Sequence, residues 1–271
     1  MSTSSAILGG STHATTFSSL MKSNDISRDV QQHLARVFGL VSAAIAIASI
    51  GCALGLVIGI SSGAAILLGS IGAIALLVCA LATDRSAESL PRRVTLFALF
   101  SAFEGFALTP IARALLASSP LLVFEVLGLS CAVFASFAGA ALASRRRAYI
   151  ALYGVLGSLS STLLMVALVN TFFVRSSGVR DAEVILGLLL SVGFTAVHTQ
   201  LIVERASVAS AEPDALADAS QLFLDLVQIF IRVAIMMLRR REGGAGGDNG
   251  GSSNAAGLIR AVGGSNARDE L

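Results

Sequence analysis

Residues 182–203 read AEVILGLLLSVGFTAVHTQLIV, and residues 219–238 read ASQLFLDLVQIFIRVAIMML. Either stretch is long enough to cross a hydrocarbon core of about 30 Å, which takes about 20 apolar residues of helix. Both must be helical, because lipid offers no partner to the backbone groups of an isolated strand. Yet His198 sits inside the first stretch and Asp225 inside the second. A carboxylate at the centre of a bilayer helix costs about 2.5–3.5 kcal/mol on insertion scales. Chains keep such groups where they face a polar interior, usually to handle ions, protons or substrates.

The rest of the chain agrees with a membrane reading. It has 271 residues, 55% apolar and 13% charged, with mean hydropathy +0.81. Soluble domains carry about 25% charged residues. A net charge of +2 gives no reason to expect nucleic acid or an acidic substrate as partner. Cys52, Cys79 and Cys131 all lie in apolar runs, an odd set with no disulfide or metal-ligand spacing. No metal or cofactor is expected.

Seven apolar runs have spanning length: residues 34–59, 64–83, 94–116, 120–143, 149–173, 182–203 and 219–238. The expected fold is therefore an all-α integral membrane protein of seven transmembrane helices. A polar N-terminal segment (1–33) precedes the membrane domain (34–238), and a basic, then Gly-rich and disordered tail (239–271) follows it. No signal peptide precedes the first span, which serves as the targeting signal. The first two spans are joined only by Ile60-Ser61-Ser62-Gly63, which predicts a tight hairpin. Gly51, Gly55, Gly59 and Gly63, every fourth residue, predict a smooth groove for close helix contact.

Positive charge orients the bundle. With the N-terminus in the cytosol, that side collects Lys22, Arg28, Arg36, Arg85, Arg92, Arg93, Arg145, Arg146, Arg147 and Arg205. The other side collects only Arg113, Arg175 and Arg180 before the last span, ten against three; Arg239, Arg240 and Arg241 dissent. The terminal Arg-Asp-Glu-Leu (268–271) differs by one like-charged residue from an ER retrieval signal, and seven spans place it in the lumen, where such signals are read.

On the seventh helix Gln221, Asp225, Gln228 and Arg232 fall on one stripe; Ser191, Thr195 and His198 do so on the sixth. Two polar stripes on adjacent antiparallel helices face each other or a shared cavity. They are either polar glue, worth on average about 0.6 kcal/mol per contact, or a gated path; the residues alone leave both open. Glu104 lies deep in the third span and is a candidate for the path, whereas Glu125 is near enough to the interface to snorkel. Pro110 should kink or break the third span. Ser158, Ser160 and Ser161 with His198 would be a protease dyad only with a Gly-flanked nucleophile turn and an oxyanion hole. Gly157-Ser158-Leu159-Ser160 is not such a turn, and an enzyme is not expected.

Thr199-Gln200-Leu201-Ile202-Val203-Glu204-Arg205-Ala206, followed by Leu222-Phe223-Leu224-Asp225, resembles the C-terminal signature of the Bax inhibitor (transmembrane Bax inhibitor motif) family, D-T-Q-x-I-I-E-K-A and then L-F-x-D-F. Gln31-Gln32-His33-Leu34, Ala102-Phe103-Glu104-Gly105 with Pro110, and Arg145-Arg146-Arg147-Ala148-Tyr149 agree in order, so the resemblance covers residues 31–242. It implies seven helices with the last central to the bundle and residence in the ER membrane. It also implies calcium leak and suppression of cell death, with membrane lipid, calcium ions or protons, and Bcl-2-type membrane regulators as partners. It further implies that two aspartates on the last two helices form a pH-sensing pair. Asp225 matches the second of these, but His198 stands where the first is expected. The connection between them is longer, with Pro213 in it, and Leu226 replaces the family's Phe. Asp218, at the start of the helix, is not expected to substitute for the missing carboxylate.

The exchange changes the chemistry. Two carboxylates in contact share a proton. A His–Asp pair favours the doubly charged state by attraction, while desolvation opposes it. A ring nitrogen is also a poorer neighbour for calcium, which prefers oxygen. Two functions follow: a pH-sensitive calcium leak, or a non-conducting interaction protein acting on cell death or ER stress through partners.

Overall fold

The computed structural model describes residues 28–86, 88–143, 149–207 and 213–245. Arg145 to Arg147, the polar segment through residue 27 and the Gly-rich tail from residue 246 with its terminal Arg-Asp-Glu-Leu lie outside them. Among the described residues all regular structure is helical: α1 (Arg28–Ile58), α2 (Ser62–Ala82), α3 (Leu90–Ala107), α4 (Thr109–Ser118), α5 (Pro120–Ala143), α6 (Tyr149–Val169), α7 (Ser177–Ser207) and α8 (Ala215–Ala245). Among the described residues six are long and apolar enough to cross a membrane singly, and the bent pair α3–α4 brings the number to seven if its two halves form one span. The chain is a multi-pass membrane protein.

The bend, 46°, falls where Pro110 predicts it. Proline has no N–H to give the carbonyl four residues back, that of Phe106. The Thr109 hydroxyl donates to that carbonyl instead, at 2.7 Å, and the chain restarts as α4 with Pro110 in its first turn. Arg113, one turn on, reaches back to the Ile60 carbonyl at 3.2 Å.

The predicted hairpin of the first two spans does not form as a packed pair. α1 and α2 each pack along α3 instead. Glycine explains why. A methyl group on Gly51 would lie 2.0 Å from the Ala102 carbonyl oxygen, and one on Gly105 would lie 1.8 Å from that of Ala48. From the other side, Gly69 abuts Ala107 and Gly72 abuts Phe103. Small residues therefore let α3 into the space between the two. Only Gly51 and Gly55 of the predicted four make close contacts: Gly59 ends α1 with φ +69°, and Gly63 faces open space.

α8 packs against α1, α3, α4, α5 and α7, so the last helix is central. Half of its most apolar stretch is buried, against 6% for α6. Phe223 on α8 meets Phe100 on α3 edge-to-face at 5.7 Å, and both are fully buried. α6 instead exposes Leu164 and Met165, and the turn after it Phe172 and Phe173, a surface suited to lipid. It ends in a π-helical turn (Asn170–Val174). There the buried Asn170 side chain accepts the Ser176 N–H at 2.9 Å and donates to the Ser176 carbonyl at 3.3 Å, holding the turn into α7.

Candidate functional site

α7 and α8 are joined by a short connection and lie antiparallel, which fixes who meets whom along their seam. His198 and Asp225 meet: Nδ1 and Oδ2 are 2.7 Å apart, with side chains only 12% and 11% exposed. With the carboxylate ionised, Nδ1–H donates and Oδ2 accepts, leaving Nε2 as the basic site of the ring. Phe194, one turn before His198, stacks on the imidazole at 5.6 Å, and Tyr153 of α6 approaches it at 6.1 Å. Tyr153 and Phe194 meet edge-to-face. Aromatic walls on one side and a carboxylate on the other hold the imidazole in one orientation.

The rest of the predicted stripes behaves differently. Ser191 and Thr195 are buried, but each hydroxyl donates to the carbonyl four residues back on its own helix, at 2.9 and 3.0 Å. They line the seam without bridging it. Gln221 is half-buried, and its Oε1 has no hydrogen-bond partner among the described residues. Gln228 is exposed and accepts from the Arg232 guanidinium, which also donates to the Gln228 carbonyl at 3.1 Å. Arg232 has no carboxylate partner among the described residues. Glu104 is half-buried on α3, and its side chain makes no hydrogen bond or ion pair with the His198–Asp225 pair or any other described residue.

A second polar centre, at the end of the bundle where α7 finishes and α8 starts, is not foreseen by the stripes. Asp218, 2% exposed, accepts from His33 of α1 and Arg205 of α7, both at 2.9 Å. Asp214 caps α8 through the N–H groups of Leu216 and Ala217, at 3.2 and 3.3 Å. It also accepts from buried Arg93 of α3 at 2.5 Å and exposed Arg85 at 3.3 Å. Burial works to raise the pKa of Asp214. The hydrogen bonds from Arg93 and Ala217 and the charges of Arg93 and Arg85 outweigh it, and hold the carboxyl below its ordinary value. The cap was legible, an Asp after Pro213 ahead of an apolar run. Nothing in the sequence says that α3 brings Arg93 to it. Arg85, Arg93 and Arg205, which the charge count puts on one side, do gather at one end of the bundle.

The family model described as "Inhibitor of apoptosis-promoting Bax1" matches residues 30–242. Bax inhibitor 1 of Rattus norvegicus is 32% identical over 222 residues, covering 82% of this chain and 91% of its own length. Bax inhibitor 1 of Homo sapiens is 31% identical with the same coverage, and that of Arabidopsis thaliana 28% identical, covering 82% of this chain and 86% of its own length. The chain belongs to the Bax inhibitor family.

Proposed function

We propose that this member of the Bax inhibitor family is a pH-sensitive calcium leak protein of the ER membrane and a negative regulator of cell death, gated at His198 and Asp225. The observation that carries the reading is the 2.7 Å contact between a half-buried imidazole and a buried carboxylate in the seam of the two last helices. Such a pair has more than one protonation state. A proton on Nε2 turns the hydrogen bond into an ion pair and tightens the seam. A proton on Asp225 removes the attraction. Proton uptake by the imidazole thus favours the closed seam. In this reading the gate turns over no substrate: protons shift between the imidazole, the carboxylate and the medium, each N–H or O–H bond broken being matched by one formed. Calcium and protons are the ions it handles, and suppression of Bax-driven death follows the name its relatives carry.

A second reading has its own support. One carboxylate is fewer oxygen ligand than calcium prefers, and Ser191 and Thr195 spend their donors within α7. A non-conducting protein that docks on Bcl-2-type membrane regulators fits these facts.

Calcium flux from proteoliposomes between pH 5 and 8 separates the two. His198→Asp is expected to raise the flux about tenfold, since even at an effective dielectric of about 20 a unit charge 4 Å from an ion is worth about 4 kcal/mol, most of it absorbed by desolvation. Asp225→Asn is expected to flatten the pH response. Equal flux from wild type and both variants at every pH would hand the function to the interaction protein. Colocalisation of a tagged chain with ER markers tests the compartment.

A further inference from the structure

We infer that Arg232, seated against Gly187, is the residue that sets ion choice in the α7–α8 seam, acting as a fixed positive charge against divalent cations. The inference rests on the leak reading of the same seam and adds its selectivity element. Three observations place the charge. Arg232 lies seven residues beyond Asp225 and seven before Arg239, about 10 Å from each along the helix axis. A methyl group on Gly187 would fall 2.3 Å from the Arg232 Nε and 3.0 Å from its Cζ, so the guanidinium occupies space that any other residue would fill. Its only hydrogen bonds among the described residues go to the carbonyl and side chain of Gln228, both uncharged.

The neighbouring charges are engaged elsewhere. Asp225 is held by His198, Asp181 by Arg239, and Glu125 by Arg241. Glu183, one turn from Gly187 on α7, has a buried Oε1 without a partner and forms no ion pair with Arg232. Glu183 instead lines a cavity with Leu156, Leu159 and Leu163 of α6. Arginine stays protonated in proteins, so this charge does not titrate away. In a low-dielectric seam it repels a divalent ion twice as strongly as a monovalent one at the same place.

The test reconstitutes the full chain as wild type, Arg232→Gln, Arg232→Lys and Gly187→Ala, and measures calcium and potassium flux side by side. Arg232→Gln is expected to raise calcium flux about tenfold and potassium flux by about the square root of that factor, following the product of charges. Arg232→Lys keeps the charge and should stay within about twofold of wild type. Gly187→Ala displaces the guanidinium without removing a charge, and should shift the calcium-to-potassium ratio in the same direction as Arg232→Gln. It also carries the test if Arg232→Gln fails to fold. A wild type that conducts calcium with an unchanged ratio in Arg232→Gln and Gly187→Ala overturns the selectivity role and leaves the leak reading standing. An equal rise in both ions would mean a loosened bundle, and overturns it too. A silent wild type with a calcium-conducting Arg232→Gln supports the barrier and ends the leak reading for the native chain. Silence in every variant ends both.

Discussion

Replacing Asp214 by Asn keeps the shape and the capping oxygen of the side chain but removes its charge, and so isolates what that charge does. Arg93, 5% exposed, would then keep the Ala80 carbonyl at 3.3 Å and a neutral amide as its partners. Removing one member of a buried ion pair costs about 3–5 kcal/mol. Arg85 is 64% exposed and adds little, and the site lies at the end of the bundle, so about 3 kcal/mol is the expected loss. At about 2–4 °C per kcal/mol for a domain of this size, melting should fall by roughly 6–12 °C. Asp214→Ala should cost about 1 kcal/mol more, because the cap goes too. The acid limb gives an independent check. The carboxyl is held below its ordinary value in the folded chain. Its stabilisation is therefore complete above the unfolded value of about 3.9 and is lost as pH falls through the lower folded value. Wild type should lose stability over that acid range, and Asp214→Asn should lack this part of the slope. Thermal unfolding in detergent from pH 2 to 8 reads both. An Asn variant within about 1 kcal/mol of wild type, with the same acid slope, would refute the pairing of Asp214 with Arg93.

Gly105→Ala must push α1 from α3, since the new methyl would meet the Ala48 carbonyl at 1.8 Å; a loss of about 1–3 kcal/mol is expected. Gly128→Ala, facing open space, is the silent control, and equal melting of the two would show that α1 and α3 are not packed so closely. Thr109→Val strands the Phe106 carbonyl beside Pro110 and should cost about 1 kcal/mol by chemical denaturation, with no loss expected from Thr109→Ser. Asp218→Ala releases His33 and Arg205 together. Amide exchange should then quicken in the first turns of α1 and stay unchanged in α5; uniform quickening would mean that the contact is not local.

The apolar helices were legible because the length and hydropathy of an apolar run are properties of the run itself, and so was the break at Pro110, a defect of local backbone chemistry. The partner of each helix was not. Gly51 and Gly55 announce that something approaches α1 closely, but a glycine does not say what approaches. The nearest helix in sequence, α2, proved to be the wrong choice, because its own Gly69 and Gly72 also face α3. His198 and Asp225 were legible as a pair because each is costly alone in its own span. The hydroxyls of Ser191 and Thr195 were not legible as self-bonded, since helical spacing gives the face and not the rotamer. The partners of Asp218 were not legible for a related reason. An acid in the first turn of a helix is explained by the helix dipole alone, and that sufficient local cause hid the long-range partners His33 and Arg205.

The two polar centres handle buried charge in opposite ways. At the end of the bundle each acid is matched by more than one basic side chain: Asp214 by Arg85 and Arg93, Asp218 by Arg205 and His33. That is what stability asks for, because a buried charge is costly unless paired. Compensation by the same rule in the seam would have set Glu183 against Arg232, yet the two form no pair and Arg232 rests on Gln228. With a neutral imidazole, Asp225 and Arg232 alone sum to zero, and protonation of His198 adds one positive charge to these three groups; Glu183, farther along α7, is a further negative charge when ionised. An aspartate in place of His198, sharing its proton with Asp225, would leave the pair at minus one and the three groups at zero, while full ionisation would make them negative. Histidine in place of aspartate, and an Arg232 with no carboxylate at ion-pair distance among the described residues, both make the seam more positive than two aspartates would. The flux measurements on His198→Asp and Arg232→Gln decide whether that charge gates ions or only joins the two helices.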